Sequence, residues 1–552
     1  MHPLASRRIL RSVVVLVLPL LLIGAAASAV LADPAVLDWT DTWGGPGDHN
    51  DEATFAFADP GGDGVLVAGT TIRRPDIRTL AFARRLGADG LADWTTIVPP
   101  DTLGTLRAAV PLDGGVVLVG RGAGLQLVAV GADGSLQWVL ERPFPAALDF
   151  SSEVRAVRGP GDRIYAAAGT AAGFFLVVVS PAGVVERETT ITTTTLAYNL
   201  NDLVVDAAGD VYLGAWLGEG SSQWLSILRV DPTDAVLWRQ DTTGDIGSVF
   251  GNLRLALLPG GDVVAAGNPE SICGVFRVQV WSVAAADGGL LWSDVLTEGP
   301  CASAAVRRIA VDATGDVVVL ADGGLDEASL GDRGFVVARY APDGERRWAR
   351  VVPSGVGSSD LDGALALTAD GGVVVTGRSI ITWQLQRLVT FSLAPDGELR
   401  WLDAWSAGPA LSSSGQAVVV APGGVVYVVG TTWNADVFTD AVTLRYHHFT
   451  ASAVAPLPAT GGGLEVAPLL NPFSGSTRVR FRLPADASFT LAVYDVAGRR
   501  VRLLRTGQAA AGPHEVTWSG RDDNGRVLPS GTYLLRLETA RGAVTRRVGL
   551  LR

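Results

Sequence analysis

The chain has 552 residues, of which 67 are Gly, 48% are hydrophobic and 18% are charged, with a formal net charge of −12. All 44 basic residues are Arg, and 56 acidic residues outnumber them, which argues against a nucleic-acid binder, since phosphate is met by a basic face. The excess of Val, Thr and Gly describes short strands and tight turns rather than helices, and the length allows two or more domains.

The N-terminus reads as a secretory leader over residues 1–32. Arg7, Arg8 and Arg11 precede an apolar run over residues 13–24, and the small-residue stretch "AAASAVLA" follows. Cleavage after Ala32 fits best, with Ala29 as the other position. The competing reading is an uncleaved anchor, because apolar residues continue for about 20 positions. The small-residue end favours cleavage. No other stretch is long and apolar enough to span a membrane, so the mature chain is expected to be exported through the periplasm with no membrane span. Removing the three leader arginines takes the formal charge from −12 to −15. Residues 464–552 hold 14 Arg against seven acidic residues, so that segment carries +7 and the remainder −22.

Residues 33–450 repeat one phrase. "LQLVAVGADGSLQW", "VQVWSVAAADGGLLW", "FVVARYAPDGERRW" and "RLVTFSLAPDGELRW" each join an apolar strand to a Gly-containing turn and a strand bearing Trp. The period of about 45–55 residues is that of a repeat architecture. One anchor is Trp39, Trp94, Trp138, Arg187, Trp238, Trp292, Trp348 and Trp401, with Arg187 the single departure. The other is a strand ending in Gly or Ala, such as "GGVVLVG" and "GGVVVTG". Each unit holds four strands linked by Asp-Gly, Gly-Gly or Pro-Gly turns, which suit hairpins. Four antiparallel strands, radially repeated, form a propeller blade, and the expected fold is all-β with an eight-bladed β-propeller. The last unit, ending in "AVTLRYHHFT", lacks a fourth strand, while "AVLDWTDTW" opens the mature chain as an orphan fourth strand. Joined, they close the ring and hide its edges. The recurrent Trp residues are expected to dock one blade on the next, in preference to a ring of ligand-stacking aromatics.

These phrases resemble bacterial propeller repeats of the delta-60 and SBBP kind, and "VWSVAAADGGLLW" is similar to the Trp-bearing repeat of the pyrroloquinoline-quinone-type eight-bladed propellers. The resemblance covers about 415 residues. It implies the fold and leaves the function open, because such repeats occur in enzymes, assembly factors and surface proteins.

Residues 451–463, "ASAVAPLPATGGG", read as a linker. Residues 464–552 then offer six or seven short strands, the pattern of a small Ig-like β-sandwich. "NPFSGSTRVRFRLP", "LAVYDVAGRRVRLL" and "HEVTWSGRDDNGRVLPSGTYLLRLE" resemble the immunoglobulin-like domain of the flagellar hook-capping protein and, equally, the type A C-terminal sorting domains of type IX secretion. The latter likeness implies a partner in the secretion machinery and a cell-surface or secreted destination. Trp518 is expected in the sandwich core, and Gly520, Gly525 and Gly531 in turns of positive φ. The Arg excess of this domain suits an anionic partner surface, though a merely solvated face is the plainer reading.

In the propeller, the links after the second and fourth strands are long and fall on one face, where a glycan or protein ligand is expected. Trp216, Trp224, Trp383 and Trp433 lie in or beside these links, as stacking aromatics or as loop packing. Cys273 and Cys301 lie in two links of the fifth unit and are expected to form a disulfide in an exported chain. Asp48, Asp51 and Glu52 offer oxygens for Ca²⁺, against the simpler reading of a solvated acidic turn; no other metal or cofactor is expected. No catalytic motif appears: there is no HExxH, nucleophile elbow or Cys-His cluster. The reading is a non-catalytic, exported binding or adhesion propeller. The alternatives are a quinone-dependent dehydrogenase and a glycan-active lyase or hydrolase.

Overall fold

The computed structural model describes residues 36–447 and 464–551, apart from 46–49, 60–63, 74–77, 146–152, 172, 194–195, 220–221, 243–251, 270, 273–274, 298–303, 326–333, 353–360, 383–384, 409–410, 434–437, 469–472, 475–476, 496–498, 529–530 and 541. The chain is a β-propeller followed by an Ig-like sandwich. Among the described residues, the propeller strands form eight four-stranded antiparallel sheets. Seven are continuous in sequence, over residues 51–97, 105–143, 154–192, 196–241, 253–295, 304–352 and 361–405. The eighth joins Ser413–Val420, Val425–Trp433 and Thr439–His447 to the strand Val36–Trp43.

The middle strands explain why these sheets stack. Gly124–Val130 is apolar but for Gln126 and is buried at every position, as a strand covered on both faces should be. Alternate residues serve different neighbours. Val65 and Val67 enter a core with the eighth sheet, whereas Leu66 and Ala68 enter one with the second. The same holds all the way round. Each of eight core clusters joins one sheet to its successor, from the first and second sheets through to the eighth and first. Most first strands of successive sheets lie against one another around the axis. Fourth strands such as Leu136–Pro143 alternate exposed and half-buried residues at the rim.

The ring closes as the orphan strand requires. Val36 pairs with His447 and Trp43 with Ala441, with a bulge between Leu37 and Trp39. Asp38 binds Arg445 at 2.6 Å and His447 Nδ1 at 2.5 Å, so charge-assisted bonds reinforce the backbone ladder.

The recurrent Trp residues share one geometry. Trp94 Nε1 donates to the Ala132 carbonyl at 2.8 Å, in the turn between the third and fourth strands of the next sheet. The indole lies against Gly134, whose φ is +80° and where an added Cβ would approach the ring to 2.8 Å. Trp39, Trp138, Trp238, Trp292 and Trp348 repeat this on Ala88, Pro181, Ala285, Pro342 and Pro395. Arg187 is the informative exception. The turn it meets carries Asp234 at φ +74° in place of Gly. Arg187 donates to the Asp234 carboxylate and, at 2.7 Å, to the Asp231 carbonyl, so an ion pair stands where a ring lies on Gly elsewhere. Trp401 differs because the third and fourth strands of the eighth sheet are not consecutive in sequence and no hairpin turn joins them; it stacks on Tyr446 with ring centroids 5.7 Å apart.

The Ig-like domain has a three-stranded and a five-stranded sheet around one core. Two short strands, Glu465–Pro468 and Phe473–Ser474, add to the expected set. Trp518 is 1% exposed and meets Tyr533 edge-on at 5.6 Å. Gly520 and Gly525 have positive φ, whereas Gly531 opens the strand Gly531–Thr539.

Candidate functional site

Antiparallel order fixes which ends of the strands share a face. The links after second and fourth strands emerge together, and the short turns, with their docked Trp residues, lie on the opposite face.

The residues expected on the long-link face are described only in part. Trp383, Asp48, Cys273 and Cys301 lie outside the described residues. Trp216 is half-buried and packs on the core between the fourth and fifth sheets. Trp224, also half-buried, packs on the other side of the same sheet, against the core shared with the third, beneath Arg239 at 5.7 Å. Trp433 is 44% exposed and belongs to the eighth sheet.

Asp51 and Glu52 are successive strand residues on opposite sides, Asp51 buried and Glu52 exposed, so they do not converge on a cation. Among the described residues no group of three or more His, Cys, Asp or Glu side chains could hold a metal ion. Asp51 accepts the Gly45 N–H at 2.8 Å. Burial pushes its carboxyl up to about 6, assisted by the Asp440 carboxylate and opposed by the Thr71 hydroxyl and the Gly45 N–H.

A different constellation lies where the first strands begin, at the long-link mouth of the channel. Six of the eight first strands carry a bulge, centred on Thr54, Arg107, Asn201, Arg307, Gly363 and Gln416 or on the residue beside them. A bulge removes a residue from the ladder and frees its carbonyl. The third and fifth sheets lack the bulge and place Arg155 and Arg254 at the corresponding level. Arg155 Nε donates to the Asn201 carbonyl at 2.8 Å. Arg254 Nη1 donates to the same carbonyl at 3.0 Å, and Arg254 Nε to the Arg307 carbonyl at 3.0 Å. One hydrogen-bonded arc therefore runs across the third to sixth sheets. Arg107 extends it into the second sheet, 3.9 Å from Glu153, which also pairs with Arg155 at 3.1 Å. Arg308 Nη1 adds a bond to the Arg307 carbonyl at 2.9 Å.

The electrostatics of this arc are unbalanced. Arg307 is paired by Asp322. Arg254 meets no carboxylate at hydrogen-bond distance among the described residues, since all its recorded acceptors are backbone carbonyls. The nearby Asp202 carboxylate instead accepts the N–H groups of Leu203 and Leu255, at 3.0 and 2.9 Å. Burial lowers the Arg254 guanidinium to about 10; Asp202 opposes this, and Arg155, Arg308 and Arg307 add to it. Sequence reading missed this arc. The signal was an Arg after an apolar residue in four first strands, in "LRAAV", "VRAVR", "LRLAL" and "VRRIA".

Residues 468–543 match the family model of the FlgD Ig-like domain, and residues 226–439 match that of the outer membrane protein assembly factor BamB. The basal-body rod modification protein FlgD of Salmonella typhimurium is 30% identical over 102 residues, which are 18% of this chain and 42% of that protein. Its counterpart from Salmonella typhi gives the same figures. The chain thus spans less than half the length of these curated relatives. Quinohemoprotein alcohol dehydrogenase from Comamonas testosteroni is a similar solved structure, 13% identical over 78% of each chain with a TM-score of 0.45. PorZ, a surface component of the type-IX secretion system of Porphyromonas gingivalis, is 14% identical over 89% of this chain and 69% of its own, with a TM-score of 0.34. These structural likenesses carry no argument about function.

Proposed function

We propose that this chain is exported and works at the outer cell surface, or released from it, as a non-catalytic binding propeller. Its Ig-like domain, residues 464–552, serves the secretion machinery as a sorting domain. What supports the reading is the order of parts: residues 1–32 that read as a leader, eight four-stranded sheets between residues 36 and 447, residues 451–463 that read as a linker, and residues 468–543 matching the FlgD Ig-like model. The match of residues 226–439 to an assembly-factor model fits a scaffold that binds rather than transforms. In this reading the long-link face takes the ligand, and Cys273 and Cys301 pair in the oxidising compartment.

Deletion of residues 464–552 tests the sorting role. In the native host, the shortened chain should accumulate in the periplasm while the full chain reaches the surface or the medium. Arrival of the shortened chain at the surface in normal amounts would overturn the assignment.

A further inference from the structure

We infer that the arginine arc at the channel mouth, formed by Arg107, Arg155, Arg254 and Arg307, is a binding site for an oxyanion: a carboxylate, sulfate or phosphate group borne by an acidic ligand. The inference rests on the reading of the propeller as a binding module and names the chemistry it would recognise.

Three observations support it. First, the arc is positive where the propeller as a whole is negative. Arg107, Arg155, Arg254, Arg307 and Arg308 gather around Glu153, Asp202 and Asp322, within a segment of formal charge −22. Second, the arc is fixed before any ligand arrives. The Arg155 and Arg254 guanidinium groups are tied to the Asn201 and Arg307 carbonyls, so little side-chain freedom is lost on binding. Third, donors remain. The recorded bonds of Arg155 and Arg254 use Nε and Nη1, and neither Nη2 group has a partner among the described residues. A guanidinium offers five N–H donors in a planar fork, and a carboxylate, sulfate or phosphate matches that fork with two parallel acceptors.

Capping the bulge carbonyls explains Arg155 and Arg254, but not Arg107. Its side chain is 36% exposed, and its recorded partner is Glu153 at 3.9 Å. Among the described residues Arg107 makes no bond to a carbonyl of the ring, yet it extends the positive arc by one sheet. That placement is the one an anion site predicts and a purely structural arc does not need.

The test is calorimetric titration of the full mature chain at low ionic strength with inorganic phosphate, inorganic sulfate and glucuronate, one arm for each source of the oxyanion. At least one probe should saturate near one site per chain and weaken as salt is added. Arg107→Gln should weaken that probe about tenfold, the scale of one lost charge-assisted contact. Glu153→Gln, which removes a competing carboxylate, should tighten it several-fold. Both side chains are partly exposed, so thermal melts should show both variants folded. The inference is overturned if no probe saturates, or if saturable binding is unchanged by both substitutions. The export experiment with the full and shortened chains is read separately, so failure here leaves the sorting assignment standing.

Discussion

At the residue scale, buried charge and exchanged partners make the sharpest predictions. Asp51 is fully buried and holds its carboxyl at about 6, against 3.8 for the free group. Its folded-state affinity for protons is therefore raised, and the folded protein binds more protons than the unfolded one between those values. Its contribution to stability is highest at acid pH and is lost as pH rises through about 6, about 3 kcal/mol in all. Asp51→Asn keeps an oxygen for the Gly45 N–H and should be more stable than wild type at pH 7.5, with the difference vanishing near pH 4. Denaturant melts at both values check this, and a wild-type-minus-variant difference that is flat with pH would refute it. Arg187 and Asp234 supply the second case. Arg187→Trp alone puts a ring against a Cβ, and Asp234→Gly alone removes the carboxylate and leaves the guanidinium only the Asp231 carbonyl. Each single change should cost about 1 kcal/mol, while the double change should recover most of the loss. A strictly additive double variant would show that the two positions do not compensate. Arg187 was legible in the sequence as a departure from Trp, but its partner was not. The turn spells "DPTDAV", and nothing in those letters says that Asp234 stands where the other turns use Gly.

At the element scale, the turn between the third and fourth strands is the unit on which the ring is assembled. It combines a positive-φ Gly with an indole from the preceding sheet. At Gly344 φ is +92° and an added Cβ would approach Trp292 to 2.5 Å. Gly344→Ala should destabilise the propeller by about 2 kcal/mol, because it joins backbone strain to a clash in one place. Gly261 makes the control: φ is +95° there, but nothing lies within 4 Å. Gly261→Ala should cost distinctly less, and equal losses in thermal melts would contradict the packing role. The repeated turn, the Trp and the apolar middle strands were readable because hairpin chemistry and period-two burial are local. The bulges were not, since a bulge is defined by what lies opposite it. Arg107 and Arg307 sit on bulges whereas Arg155 and Arg254 do not, so the four residues differ in phase along their strands. Only the assembled ring brings them to one level. Trp216 and Trp224 are near one link in sequence, and only the assembled sheets show that they pack on opposite sides of the fourth sheet.

At the scale of the whole molecule, the account depends on a closed ring. Cores shared between every sheet and its successor leave no sheet with a bare face, and the pairing of Val36–Trp43 with Thr439–His447 joins the two ends of the repeat. That closure was visible in the sequence as a missing fourth strand at one end and a spare one at the other. It also fixes the order of the first strands, and with it the arc of arginines across the second to sixth sheets. Hydrogen exchange of the folded chain, followed by mass spectrometry on peptides covering residues 36–43 and 439–447, tests it most directly. The account predicts that the amides of residues 36–43 exchange as slowly as those of fourth strands in the continuous sheets, such as Leu136–Pro143, and open together with residues 439–447. Rapid exchange of residues 36–43 while the other sheets stay protected would contradict it.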